Sequence, residues 1–300
     1  MTNIANTTNL DLTGTFTAII TPFTKDGKNI DYDAFENLIE EQISAGIDGI
    51  VVAGTTGESP TLTWQENDEL IKRAVQCVNK RCLVVAGTGS NCTREAVEHS
   101  VEAEENGADA LLVVTPYYNK PTQNGIYDYF AQINEAVNIP IIVYNIAGRC
   151  GVNIETQTLL RMRNDLKNIK AVKEASGSFS QAQEVREMLG EDFPILCGEE
   201  SLTYKLIKEK CGNGVVSVMA NSHPAEIKKL VELGRAGNFE EGDVLQAELL
   251  EKMNACFLET NPIPIKTLLA KMGKCNLVFR SPLVEMEEKN SEQLFAAFNI

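Results

Sequence analysis

Eight short β-branched runs, each followed by an amphipathic stretch, restrict this chain to very few architectures. The runs are 16–20, 49–53, 83–86, 110–115, 141–145, 169–173, 195–197 and 215–218. Apolar residues recur at helical spacing over 34–45, 64–79, 93–106, 123–137, 155–163, 179–189, 201–210 and 224–234. Runs apolar on both faces, such as Leu111-Leu112-Val113-Val114, mark parallel strands covered by helices. A weak repeat supports this: the stretches beginning at Ala45-Gly46, Asn106-Gly107 and Cys211-Gly212 each read as helix stop, tight turn, strand start. Glycine is the expected left-handed terminator in each. Eight such units favour a closed (β/α)8 barrel over an open doubly wound sheet. The chain then turns helical near 238–258, 263–272 and 291–298, with Pro262 and Pro264 expected to break the first stretch from the second. The expected fold is thus an α/β TIM barrel over 1–235 with a C-terminal helical appendage over 236–300.

Composition narrows the function. Hydrophobic content of 43% and charged content of 23% are those of an ordinary globular domain, so disorder is not the default. A net charge of −15 argues against nucleic acid, which requires clustered Lys and Arg. Eight cysteines lie scattered with no C-x-x-C pair, the pattern of free thiols in a reducing cytosol. His99, on a helix face, and His223, at a helix start, read as structural, and two imidazoles are too few for a His-rich metal site. No apolar run approaches the roughly 18 residues of a membrane span. The stretch Thr2–Asn9 is polar, with neither a basic region nor an apolar run, so no secretion or transit signal is expected.

In such a barrel, chemistry belongs at the C-terminal ends of the strands. Lys173 stands out there, because Ile169, Ala171 and Lys173 should share one face of an otherwise apolar strand. Desolvation disfavours a lysine's ammonium form, and a neutral amine is a nucleophile for carbonyl carbon. The bland alternative is a lysine at a strand end extending its charge to water. Tyr144 has the parity of Ile142, so its ring should point inward; beside an amine its phenol can ferry protons, although a buried tyrosine is as often plain core. Arg149 follows that strand by four residues and is either a surface charge or a fork for a carboxylate. Gly54-Thr55-Thr56-Gly57 is either a simple turn or a set of backbone donors for a carboxylate with a hydroxyl beside them. Gly87-Thr88-Gly89 lacks the third glycine of a dinucleotide fingerprint. Glu199 and Glu200 disfavour a phosphate after the seventh strand.

Taken together, Gly54-Thr-Thr-Gly-Glu-Ser59, Thr115-Pro-Tyr-Tyr-Asn-Lys-Pro121, Tyr144-Asn145 with Arg149, Val172-Lys-Glu-Ala175 and Asn261-Pro-Ile-Pro-Ile-Lys266 resemble the dihydrodipicolinate synthase family. That family belongs to the pyruvate-dependent class I aldolases, which include N-acetylneuraminate lyase. The resemblance runs from about Gly14 to Pro282. It implies condensation of pyruvate with L-aspartate 4-semialdehyde through a Schiff base on Lys173, with no metal or added cofactor, in a cytoplasmic homo-oligomer, a tetramer built as a dimer of dimers. It further implies that Tyr144 is the general acid/base. Tyr117 would be a second relay tyrosine reaching the neighbouring subunit's site, with the Thr56 hydroxyl linking the two phenols. Thr55 and Thr56 would bind the pyruvate carboxylate, Gly198 and Val216 would line its pocket, and Arg149 would hold the aldehyde's carboxylate.

The match has departures. Ala147 stands where the family usually has proline, so the Arg149 loop is less rigidly preset. Ser59, Asn91, Glu95 and Tyr117 match a lysine effector site found in many relatives; Trp64 and Asn67 occupy two further positions of it, and lysine-sensitive members often carry histidine where Asn67 stands. Lysine inhibition is expected to be weak. Two other functions stay open on the sequence: another pyruvate-dependent aldolase acting on a sugar acid or 2-keto acid such as N-acetylneuraminate, and a non-catalytic sensor of pyruvate or lysine.

Overall fold

The computed structural model describes residues 10–300, so the Thr2–Asn9 stretch used above for the leader argument lies outside the described residues. Eight strands close on themselves in sequence order, every neighbour pairing parallel. They are β1 (Gly14–Ala18), β2 (Gly49–Val52), β3 (Leu83–Gly87), β4 (Ala110–Val114), β5 (Ile141–Asn145), β6 (Ile169–Glu174), β7 (Ile195–Cys197) and β8 (Gly214–Ser217). The outer layer comprises α1 (Tyr32–Ser44), α2 (Trp64–Val78), α3 (Thr93–Glu105), α4 (Gln123–Ala136), α6 (Thr156–Asp165), α7 (Phe179–Leu189), α8 (Glu200–Lys208) and α9 (Pro224–Ala236). A one-turn helix, α5 (Ala147–Cys150), interrupts the loop after β5 where the sequence suggested only loop. The chain ends in α10 (Phe239–Ala255), α11 (Ile263–Lys271) and α12 (Glu288–Phe298).

The helix starts follow from local chemistry. Asp31 and Thr122 cap α1 and α4 by accepting backbone N–H groups of the first turn, and Thr63 with Glu66 forms a reciprocal capping box on α2. Such caps are worth about 1 kcal/mol each. The repeated turn works through Gly46 and Gly107, at φ +75° and +92°. In the third copy the left-handed residue is Lys210, at φ +59°, and not the glycine that follows it. The expected break between the first two C-terminal stretches is present: Pro264 sits inside the first turn of α11, where its missing N–H is harmless, and so marks the start of that helix.

Two apolar layers result. The barrel interior is filled by residues such as Phe16, Val51, Leu112, Ile142, Ala171, Leu196 and Val216, and the larger layer lies between strands and helices. Gly49 is required inside the barrel, since a Cβ there would collide with the Phe16 ring. One strand breaks the simple alternation. In β6 the register shifts, Ile141 facing Ile169 but Ile142 facing Ala171. Lys170 is the extra, exposed residue of this bulge, and Ile169 turns to the outer layer. Ile169 therefore does not share a face with Ala171 and Lys173 as simple alternation predicts, and only the latter two keep the inward parity.

The C-terminal helices are bound to the barrel mouth by one buried ion pair. Lys266 Nζ of α11 donates to Glu58 Oε1 at 2.5 Å, both side chains being fully buried. Lys266 also lies 4.0 Å from the Phe23 ring centroid, and the Arg280 N–H donates to the other Glu58 oxygen at 3.3 Å. Burial pushes the Lys266 amine down, with the charge of Glu58 opposing that shift. Removing one partner strands the other without compensation, so Lys266→Met is expected to cost about 3–5 kcal/mol in denaturant unfolding. Adding Glu58→Gln to that variant should recover at least half of the loss.

Candidate active site

Tyr144 and Lys173 are direct register partners on β5 and β6. Both point into the barrel at its C-terminal end, and each is 7% exposed. Lys173 Nζ stands 4.1 Å from the centroid of the Tyr144 ring. Among the described residues no carboxylate pairs with this amine, so its nitrogen is not committed to a salt bridge. An uncommitted amine beside a phenol is the arrangement that attack on a carbonyl with local proton transfer requires.

The adjoining wall is made by β7, which pairs with β6, and by β8. A Cβ on Gly198 would come within 3.0 Å of Lys173 Cε, so glycine leaves the lysine stem its room. Val216 faces the same interior. Glu200, the first residue of α8, ties these two strand ends together: its Oε1 accepts the Ser217 hydroxyl and the Met219 N–H, the latter at 2.8 Å. Its Oε2 is buried with no partner among the described residues. Burial pushes this carboxyl up to about 7, against the lowering effect of its hydrogen bonds. Sequence reading gave Glu200 only a negative role, as an obstacle to phosphate, because its burial depends on the packing of α8 over β8.

The Thr55–Thr56 loop follows β2 and rests on the end of β1, where the Thr21 hydroxyl donates to the Gly57 carbonyl at 2.6 Å. Thr56 is buried, and its hydroxyl oxygen accepts Asn261 Nδ2 at 3.0 Å. No bond from Thr56 to either phenol is formed among the described residues. Arg149 sits on α5 and donates from Nη2 to the Asn261 carbonyl at 3.1 Å. Asn261 thus joins the threonine loop to the arginine. The sequence offered no signal for that role beyond its place in a matching motif, since the contact spans 112 positions to Arg149.

A cavity of about 640 Å³ opens beside these groups. Thr55, Tyr117 and Arg149 line it together with Ser59, Trp64, Asn67, Glu95 and His99. Lys173, Tyr144, Gly198 and Val216 are not among its lining residues; Tyr144 and Val216 belong to the barrel-interior cluster, and Lys173 pairs with Tyr144. Glu95 accepts the Ser90 hydroxyl at 2.8 Å, and burial pushes the His99 imidazole down to about 3, so that ring is neutral. Asn91 is not part of the lining; its carbonyl accepts Asn119 Nδ2 at 2.8 Å and ties two loops together. Tyr117 faces its own chain's cavity and is 39% exposed. Its neighbour Tyr118 is the tyrosine held outward, 90% exposed at φ +73°. Of these two adjacent tyrosines, Tyr117 lines the cavity and Tyr118 is the more exposed.

Comparison with known proteins agrees with the barrel fold. Residues 11–300 match the model of the dihydrodipicolinate synthetase family. The chain is 46% identical over 284 residues to 4-hydroxy-tetrahydrodipicolinate synthase of Geotalea daltonii, covering 94% of this chain and 96% of that protein. Its fold is similar to the chloride-inhibited dihydrodipicolinate synthase of Acinetobacter baumannii in complex with pyruvate, with TM-score 0.93, 36% identity and coverage of 96% and 98%. The lysine-bound enzyme of Cyanidioschyzon merolae is similar to the same degree, with TM-score 0.93, 38% identity and coverage of 96% and 97%.

Glu200 makes stability depend on pH. Ionising it costs more in the folded chain than in the unfolded one, so the penalty is absent below pH 4.5 and grows up to about 7. Glu200→Gln should therefore gain on the wild type between pH 5 and pH 8, by up to about 3 kcal/mol. Melting curves across that range check it; a constant difference between the two proteins contradicts it.

Proposed function

Because the chain belongs to the dihydrodipicolinate synthetase family, we propose that it condenses pyruvate with L-aspartate 4-semialdehyde to give 4-hydroxy-tetrahydrodipicolinate. This is the first committed step toward diaminopimelate and lysine. The observation that carries the residue assignments is the pairing of Lys173 with Tyr144: a buried, uncommitted amine 4.1 Å from a phenol ring in a closed barrel.

Lys173 attacks the pyruvate carbonyl carbon, and Tyr144 protonates the resulting alkoxide and then helps expel it as water. The protonated imine is an electron sink, so the pyruvate methyl group loses a proton and becomes a carbon nucleophile. That carbon adds to the semialdehyde's aldehyde carbon. The substrate's own amine then displaces Lys173 as the ring closes, which returns the enzyme amine. Thr55 and Thr56 hold the pyruvate carboxylate through backbone N–H groups. The main chain at Gly198 and Val216 lines the pyruvate side, and Arg149, braced by Asn261, holds the aldehyde's carboxylate.

The working form is a homo-oligomer, a dimer of dimers, in the cytoplasm. Two observations support this. A tyrosine at positive φ costs about 1–3 kcal/mol, a strain that is retained where a second copy uses the side chain. Tyr118 is such a residue, and we assign it, in place of Tyr117, the relay across the subunit contact. The eight cysteines are all free thiols, which suits a reducing compartment. Of the described residues, those up to 235 act as the catalytic barrel and 236–300 as its brace. The stretch of the cavity lined by Ser59, Glu95 and Tyr117 takes lysine as a weak effector: Glu95 supplies the charge for an amine, but Asn67 gives one donor where a histidine would stack.

Borohydride reduction in the presence of pyruvate, followed by intact mass, is expected to show one reduced pyruvate per chain. Lys173→Ala should abolish it, and an adduct surviving in that variant refutes the assignment. Arg149→Ala should keep the adduct and lose aldehyde use; wild-type efficiency with the semialdehyde would show that another group holds its carboxylate. Tyr118→Phe is expected to leave the oligomer intact in ultracentrifugation and to lower kcat by about 100-fold.

A further inference from the structure

The residues immediately after Tyr144 and Lys173 form a closed polar ring that the reaction chemistry does not use. Strand alternation turns Asn145 and Glu174 to the outside of the barrel, and these two are themselves register partners. Asn145 Nδ2 donates to Glu174 Oε2 at 3.1 Å and to Asn153 Oδ1 at 2.9 Å. Gln181 Nε2 of α7 donates to the same two oxygens, each at 3.1 Å, and Gln181 Oε1 accepts Asn153 Nδ2 at 3.1 Å. Two backbone groups complete it: the Ser176 N–H donates to Glu174 Oε1 at 2.8 Å, and the Ile154 N–H to Asn145 Oδ1 at 3.0 Å. Glu174 is 4% exposed and has no cation partner among the described residues, so amide and backbone N–H groups alone solvate its carboxyl group. A buried carboxyl group satisfied only by fixed dipoles tolerates little displacement of those dipoles.

The ring reaches three of the groups that the condensation needs, Lys173, Tyr144 and Arg149. Through Glu174 it fixes the residue next to Lys173, and through Asn145 the residue next to Tyr144. Through Asn145–Asn153 and Asn145–Ile154 it closes the 146–152 segment that carries α5 and Arg149. That segment has Ala147 where a proline would preset its path, so its geometry depends on the two pins at its base.

Resting on the function proposed above, we propose that Asn145, Asn153, Glu174 and Gln181 are positioning residues. They hold Lys173 and Tyr144 in attack register and hold Arg149 over the aldehyde site. The two arms of the ring act on different steps, and this separates positioning from mere support of the fold. Cutting the loop arm with Asn153→Ala should raise the KM for the semialdehyde about tenfold while the rate of borohydride-trapped pyruvate adduct stays within about twofold of wild type. Cutting the strand arm with Glu174→Gln, which sets an amide N–H against donor groups, should slow adduct formation at least about tenfold with the aldehyde KM little changed. Gln181→Ala, on a half-buried helical position, is the milder cut and should show both effects at reduced size. Far-UV dichroism and melting midpoints establish that each variant is folded. Variants that match wild type, or that lose all rates in proportion to lost stability with no split between steps, overturn the proposal. Wild type that traps no pyruvate refutes the functional reading itself, whereas trapping by wild type and variants alike refutes only the ring.

Discussion

The Glu58–Lys266 ion pair is the contact through which the barrel mouth becomes a site. Glu58 lies two residues beyond Thr56, at a left-handed φ of +55°, so its carboxylate sets the path of the threonine loop. Lys266 projects from α11, and Asn261, two residues before that helix, contacts both Thr56 and Arg149. A fully buried pair is rarely the most stabilising solution, since two hydrophobic residues of the same volume often do as well. What it supplies here is placement, because two oppositely charged groups without water have one good geometry and apolar substitutes have many. The helical tail beyond residue 236 is thus joined to the chemistry.

The site divides its polar groups into two populations. Lys173, Tyr144 and Thr56 keep unused hydrogen-bonding capacity facing the interior, whereas Asn145, Glu174, Asn153 and Gln181 spend most of theirs on each other one residue away. Free capacity is what binds and transforms a substrate, and saturated capacity is what keeps the first kind in place. Glu200 falls between them, with one oxygen doubly bonded and the other bare. Its raised pKa makes it the group in this region whose charge is most sensitive to conditions near neutrality.

Much of this was legible in the chain itself. β5 and β7 span the same residues as their sequence runs, and α7 does likewise, because Ser178, Gly190 and the β-branched runs punctuate locally. Lys173 and Tyr144 declared themselves as polar residues inside apolar strands. Asn261, Tyr118 and α5 did not. Asn261 acts across most of the barrel, the outward turn of Tyr118 is a backbone torsion in a loop, and α5 is too short to carry a periodic signal. The bulge in β6 was equally hidden, since Ile169 is apolar and fits either layer, so nothing in the sequence marks where the extra residue lies.

That bulge sets the reading frame of the whole strand. If β6 ran regularly from Ile169 with Ile141 as its partner, Ile142 would face Lys170, Tyr144 would face Val172, and Lys173 would be carried to the helix-covered side. The barrel would then hold a lysine one turn too deep and none at its mouth. A single inserted residue, and the slack it gives the ladder, decides which of two lysines in a six-residue strand faces the interior beside Tyr144. Length changes between the end of α6 and Ala171 therefore change which side chain of the strand reaches the barrel mouth.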